Sequence, residues 1–523
     1  MTLGTVLSRA TGVVRIAVIA AALGIAETRL TDAYNLANMV PNIIYELVLG
    51  GVVSSIFVPL FVEVLEKESF ERRWEVFSAV LNVSLVILSI IAVVGVLAAP
   101  LIADFYAGRL QGSEAAEQQR VITFLLRLFI PQIVLYGLYF VVAGLLNAHK
   151  RFGPPMFTPI INNLVVIAAF LLFSRYGTVT LSSVTTPQLL LIGLGTTLSV
   201  APMGLVLIPY LRRIGRYRPT LSLDHPSFKR LGRLAIFVVG FVAANQVGYV
   251  VIQWLANAQQ GGYSAYISAF TFFLLPVGLF MWSLTTALMP DLTSHALNER
   301  WGSYREQLSI GLRATIFLMV PCAVGFFVLA EPMVRVLLQH GVVTGASTDL
   351  VAAVLRYLVL GLVQFSLFQL LVRGFYGLQD TKTPFLVNCG VIALSIGINI
   401  PMFGWLGVPG LAAGQAISYT IGVAALVRRL VRRVGALEVR RLAASLVRVL
   451  AASAAMGVIV YGVASLPAAG GSSGVLVDAL VLAGAVAAGA ASYLGASYLL
   501  GVEELRFVRS AVARRKTPVP SSE

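Results

Sequence analysis

Charged side chains are scarce in this sequence, 12% of 523 residues, about half the share of an ordinary soluble domain. With hydrophobic residues at 58%, that scarcity excludes a soluble globule, because too few charged groups exist to cover one. Cysteine is almost missing. Cys322 and Cys389 both sit in apolar segments, which excludes a disulfide framework and a thiolate metal site; each reads as a small buried hydrophobe. Histidine is as rare. His149, His225, His295 and His340 scatter near the ends of apolar runs or in loops, so no H-E-x-x-H site forms, and the phosphate-cradling G-x-x-x-x-G-K-[ST] loop is missing too. No nucleophile stands beside a base. These absences argue against an enzyme, a metal or cofactor site, and a self-contained ATP-driven pump. Any energy is expected to come from an ion gradient, the membrane potential or substrate flux.

Long apolar runs take the place of charge. Fourteen can be marked, at about 4–24, 33–64, 75–101, 121–147, 156–174, 188–211, 234–257, 263–291, 308–330, 350–376, 384–404, 409–427, 446–466 and 475–500. Each is near or above the roughly 20 residues that a helix needs to cross hydrocarbon. The expected fold class is an all-α polytopic membrane protein with 14 transmembrane helices. The net charge of +15 is not a nucleic-acid footprint, because the basic residues cluster between the runs. Loops after even-numbered runs hold most of them, from Lys67, Arg72 and Arg73 to Arg440, Arg441 and Arg448. Loops after odd-numbered runs hold Arg29, Arg109, Arg120, Arg175 and Arg335. By the positive-inside rule both termini are expected to face the cytoplasm. The first run imitates a signal peptide, but the second follows so closely that a retained helix is expected.

An internal repeat organises the runs. Ala33-Tyr34 recurs as Ala265-Tyr266, Pro59 as Pro290, Arg127 as Arg356 and Pro155 as Pro384, all at offsets near 230. The expected division is a six-helix lobe over 1–232, a second over 233–430, and a last helix pair with a basic tail over 431–523. Six is even, so the two lobes share one orientation about an axis along the membrane normal. Transporters built this way bind substrate between the repeats near mid-membrane.

Polar chemistry concentrates in the first two runs. Asp32, Asn35, Asn38, Asn42 and Glu46 follow at steps of three or four, within an arc of roughly 120° on a helix. Gly50 continues that face, and Pro41 is a kink point. Asparagine glue between helices is one reading; the lining of a water-filled cavity is the other, and the charges at both ends of the arc favour it. In the first run, Arg9 and Arg15 lie about 9 Å apart along the axis and roughly 120° around it. Arg9 can snorkel to the surface. Arg15 is deeper and needs a carboxylate, a cavity or an anionic ligand; Glu46 is its expected resting partner. Asn162, Asn163, Asn245, Gln246, Gln253, Gln364, Gln369 and Arg373 read mostly as packing contacts. The expected substrate-binding set is Arg9, Arg15, Asp32, Asn35, Asn38, Asn42 and Glu46, for a ligand with an anionic group. No catalytic or metal residue is expected.

The stretch "SRATGVVRIAVIAAALG…TDAYNLANMVPNIIYELVLGGVVSSIFVPLF" resembles the opening of the MurJ (MviN) lipid II flippases. "LLNAHKRFGPPMFTPIINN", "LLQHGVVT" and "FYGLQDTKTP" are similar to later signatures of that family, and "PNIIYELVLGGV" is similar to its actinobacterial branch. The resemblance implies the MOP-superfamily fold, with a terminal helix pair forming a lipid groove. It implies alternating access that carries a polyprenyl-linked peptidoglycan precursor (lipid II) outward, in cell-wall biogenesis and cell shape. Membrane lipids and cell-wall synthesis and division proteins would be the partners. Two essential arginines of the family fall on Arg9 and Arg15, and its "TDAF" acid on Asp32. There are departures. The family's "PNLLRR" pair is Tyr45 and Glu46 here, its "FAEG" glutamate is Gly50, and its arginine in the eighth run falls at Thr271. No carboxylate stands in runs seven or eleven, against a sodium site. A sister polysaccharide or drug exporter, and a cell-wall scaffold that no longer transports, are the alternatives.

Overall fold

The computed structural model describes residues 2–48, 57–149, 151–212, 217, 219–220, 227–466 and 474–505. Every regular element among them is helical. Eleven helical stretches are long and apolar enough to cross a membrane, and a bent pair makes a twelfth. The two remaining expected runs are helix α1 (Thr2–Leu23) and the pair α2 (Arg29–Glu46) and α3 (Val58–Lys67). Gly50 and the rest of 49–56 lie outside the described residues, as does the basic tail after residue 505. Length and composition therefore support eleven to twelve spans.

The chain packs as two compact units: residues 1–268 with 338–348, and residues 269–337 with 349–523. Packing does not divide at the repeat boundary read near 232. Residues 233–268 and 338–348 join the first unit because their ends are hydrogen-bonded to the α1–α2 loop, as described below.

The first unit continues with α4 (Phe70–Ala107), α5 (Ser113–Phe129), α6 (Gln132–Ala148), α7 (Gly153–Phe173), α8 (Thr186–Leu198), α9 (Ala201–Leu205), α10 (Ile208–Arg212), α11 (Ser227–Ala256) and the first half of α12 (Gly262–Pro276). Local chemistry sets the breaks. Run four splits at Pro131, which has no N–H for the helix ladder. Run six starts at a capping box in which the Thr185 N–H donates to Gln188 Oε1 at 2.8 Å. Phe61, Trp74, Phe77 and Phe140 join α3, α4 and α6 in one apolar core. Tyr45 belongs with that core, its ring 4.7 Å from both Tyr136 and Phe140. A position that is arginine in the resembled family is thus aromatic packing here.

The second unit holds the rest of α12, a π-helical turn at Val277–Met281, α13 (Trp282–Leu297), α14 (Trp301–Leu338), α15 (Gly345–Leu360), α16 (Leu362–Gly377), α17 (Lys382–Leu406), α18 (Val408–Val434), α19 (Val439–Ala464) and α20 (Val475–Leu499). Helices α15 and α16 are one expected run, bent by 47°. The last pair is fastened to α14. Tyr493 donates to the Phe317 carbonyl at 2.7 Å. Arg313, 7% exposed, lies 2.9 Å from Glu503 and 3.5 Å from Glu504, and Ser445 donates to Glu504 at 3.1 Å. Glu504 is buried and Glu503 is exposed, so the two acids differ in worth. Arg313→Met strands a buried carboxylate and should cost about 3–5 kcal/mol. Glu503→Gln should cost less than about 1 kcal/mol. Thermal unfolding and hydrogen exchange of α19 and α20 in detergent check the difference.

Candidate functional site

Helix α1 lies along α7, and two adjacent asparagines of α7 meet it differently. Asn163 donates to Thr11 Oγ1 at 2.9 Å and to the Ser8 carbonyl at 3.4 Å, which is the packing role expected of it. Asn162 instead accepts from Arg15 Nη1 at 3.1 Å. Its amide nitrogen donates to Ser199 Oγ at 2.7 Å, and Ser199 passes its own proton to the Thr196 carbonyl at 2.6 Å. A second chain runs alongside. Thr196 Oγ1 donates to the Ile192 carbonyl at 2.7 Å, so the Tyr34 hydroxyl, 2.9 Å away, must donate to Thr196. The Tyr34 oxygen keeps its lone pairs, and Arg15 is the cation that faces it.

Glu46 is not the partner of Arg15, which corrects the expectation. Counting back along the α1–α2 hairpin puts Arg15 level with Asn38. Glu46 lies eight residues further on, about 12 Å along the helix. It is exposed at the end of α2, and the cation whose field reaches it is Arg9. Among the described residues no carboxylate pairs with Arg15, and Arg9, also exposed, has no hydrogen-bond or ion-pair partner.

The polar arc of α2 divides in two. Towards Glu46, Asn42 donates to the Asn38 carbonyl of its own helix at 2.8 Å, and the half-buried Asn38 side chain makes no hydrogen bond among the described residues. Towards the helix start, the arc is consumed. Asp32 is 0% exposed. Its carboxylate accepts from the Gly261 N–H at 2.7 Å, the Ser264 N–H at 3.0 Å and the Ser264 hydroxyl at 2.7 Å. Asn35 donates to the same Ser264 oxygen at 3.0 Å. Asp32 therefore caps the start of α12. In this conformation it has no oxygen free for a ligand.

Around that cap the ends of several segments interlock, forming a latch. Glu27 Oε1 accepts from the Thr344 N–H, the Thr344 hydroxyl and Ser347 at 2.7, 2.8 and 2.7 Å, and Oε2 accepts from the Ile25 N–H at 2.6 Å. Arg29 bonds the Asn257 carbonyl at 3.1 Å and Glu114 at 3.0 Å. Asn257 and Gln118 exchange reciprocal amide bonds, both 3.0 Å. Gly261 and Gly341 sit at φ +70° and +63°, and a Cβ on either would strike backbone, at Ala26 and Ala21 respectively. Sequence reasoning missed Glu27, Gln118 and Asn257 altogether, because their partners are distant in the chain and no spacing links them.

Membrane-crossing helices, a half-buried cation with neutral partners and a latched end define a multi-pass helical membrane protein of the transporter kind. The comparisons are specific. The family model for "Lipid II flippase MurJ" matches residues 19–482. A protein of Rhizobium meliloti (strain 1021) named "Probable lipid II flippase MurJ" is 29% identical over 531 residues, 97% of this chain and 94% of that one. The fold is that of a solved lipid II flippase MurJ in an inward closed conformation (TM-score 0.77, 22% identity, 98% of this chain and 99% of that chain). It is also that of an inward-facing multidrug resistance MATE family transporter of the MOP superfamily (TM-score 0.65, 14% identity, 83% and 94%). The chain belongs to the lipid II flippase MurJ family.

Two predictions test the latch. Burial raises the Glu27 carboxyl, but the bonds from Thr344, Ser347 and Ile25 outweigh it and hold the group below its ordinary value of 4.5. A lowered folded-state value means stabilisation that is present above the ordinary value and fades as pH falls through the lowered one. A spin label at exposed Ala346 should be immobile at neutral pH and loosen in acid, whereas in Glu27→Gln it should be loose throughout. Gly261→Ala forces a side chain into backbone at positive φ and should cost about 1–3 kcal/mol, read as a lower melting temperature.

Proposed function

We propose that this chain is a lipid II flippase, moving the anionic head group of a polyprenyl-linked peptidoglycan precursor from the inner to the outer leaflet by alternating access. The observation that carries the mechanism is Arg15, a cation inside an apolar helix whose hydrogen-bond partner is a neutral amide. A diphosphate suits the bidentate fork of arginine. Arg9, exposed and unpartnered among the described residues, would meet it first, and Arg15 would take it deeper. Asn38 and Asn42, level with and just below Arg15 on α2, would bond the sugar or peptide. Glu46 beside Arg9 would moderate the entry. Asp32 and Asn35 would serve the latch here and become available to the head group when α12 withdraws.

Both termini would be cytoplasmic, so the latched end would face outward and the Arg9 end inward. The repeat lobes would be 1–232 and 233–430, with 431–523 holding the tail of the lipid. A negative-inside membrane potential favours outward movement of an anion by about 2.3 kcal/mol per charge per 100 mV. Membrane lipids and cell-wall synthesis proteins are the proposed partners, and the motif wording supports the actinobacterial branch.

Expression in a bacterium depleted of its own flippase tests the reading. The chain should restore growth and surface-exposed precursor. Arg15→Ala should abolish rescue, and Arg9→Ala should weaken it. Good membrane expression without surface precursor would refute the proposal.

A further inference from the structure

We propose that Asn162 is the positioning residue for Arg15, and that its neutrality keeps the charge of Arg15 available to an anionic ligand. For the ligand's identity this rests on the flippase reading; for the geometry it stands on the hydrogen bonds alone. The Asn162 amide is held in one orientation from both sides. Ser199 Oγ spends its proton on the Thr196 carbonyl, so it can only accept from Asn162, whose NH2 must point to it. The amide oxygen is then the face left for Arg15. Arginine has donors only and needs such an acceptor. The second acceptor facing it, the Tyr34 oxygen, is fixed by the same logic through Thr196 and Ile192.

The consequence is electrostatic. A carboxylate in place of Asn162 would keep the shape and the contact to Arg15, with Ser199 turning its proton from the Thr196 carbonyl to the new carboxylate oxygen, and would cancel the charge. It would also compete with any diphosphate for the fork. The amide aims the guanidinium without neutralising it. Asn162 is 8% exposed and Ser199 is fully buried, so water cannot easily substitute for either. Neighbouring Asn163, spent on Thr11 and Ser8, holds the two helices together, so alignment of α1 and α7 does not depend on Asn162.

The full-length chain in lipid nanodiscs is tested with two probes: a short-chain polyprenyl diphosphate carrying the disaccharide, and the corresponding polyprenol without phosphate. Thermal stability is measured in parallel. Asn162→Asp should bind the diphosphate as poorly as Arg15→Ala does, at least about tenfold below the parent chain, while melting close to it. Asn162→Ala, which keeps the charge and loses the aim, should fall between them. Ser199→Ala should also weaken diphosphate binding, because it frees the amide to turn its NH2 toward Arg15; it serves if Asn162→Asp fails to fold. Polyprenol binding should be unchanged throughout. The proposal is overturned if Asn162→Asp binds the diphosphate within about twofold of the parent while Arg15→Ala does not. It is equally overturned if Asn162→Asp and Asn162→Ala lose binding and stability together. If Arg15→Ala itself binds normally, the flippase reading of the site fails instead.

Discussion

A guanidinium inside an apolar bundle must be solvated by the protein, and how this is done decides what the cation can still do. An ion pair is the common answer, but it consumes the charge. Here Arg15 is solvated by a neutral amide oxygen, with a phenolic oxygen also facing it. Those oxygens are in turn oriented by hydroxyls that donate their protons to carbonyls of α8. The arrangement needs α1, α2, α7 and the α8–α9 junction in register. The packing of α1 along α7, the Asn163 contacts and the burial of Tyr34 against Phe129 and Phe170 all serve that register.

The same hairpin solves the opposite problem at its other end. Asp32 is a buried carboxylate, and its short-range partners are two N–H groups and a hydroxyl. Glu27 takes four bonds of the same kind. These contacts join residues near 261–264 and 341–347 to the α1–α2 loop and the start of α2. Ser264 stands 232 positions after Asp32, the offset at which Ala33-Tyr34 recurs as Ala265-Tyr266. Asp32 therefore bonds the residue that the same offset pairs with it. This also explains why the packing units do not divide at residue 232.

Much of this was legible beforehand, and the misses have physical reasons. Composition and run length reveal a helical membrane protein, because crossing hydrocarbon is a property of each segment alone. That Arg15 and the α2 arc need partners inside the protein is legible too, since polar groups in such helices demand an explanation. Their partners are not, since hydrogen bonds span 147 residues to Asn162 and 229 to Gly261. Helical periodicity could place Asp32 and Asn35 on one face, and they do share Ser264. It could not say that this half of the face is closed. Glu46 was assigned to Arg15 on charge alone; the rise of the hairpin, about 1.5 Å per residue, already set them at different depths. The split of run four at Pro131 was not read from the sequence, although the missing N–H of proline is a local fact.

Keeping opposite charges apart has a further consequence for a transport cycle. Had Asp32 and Arg15 been partners, opening the latch would have required breaking an ion pair in low dielectric, a step that costs several kcal/mol, and closing it would have disarmed the cation. With neutral partners on both sides, each is exchanged for other neutral partners or for water. Hydrogen bonds to a charged group contribute about 1.5–3 kcal/mol each in net terms, so a latch built from several is stable at rest yet opens by exchanging them one at a time. The contact between Arg15 and Asn162 involves none of the latch residues. A site of the kind proposed, binding a dianion on one side of a membrane and releasing it on the other, needs a cation whose contacts are independent of the latch, with access rather than affinity doing the switching.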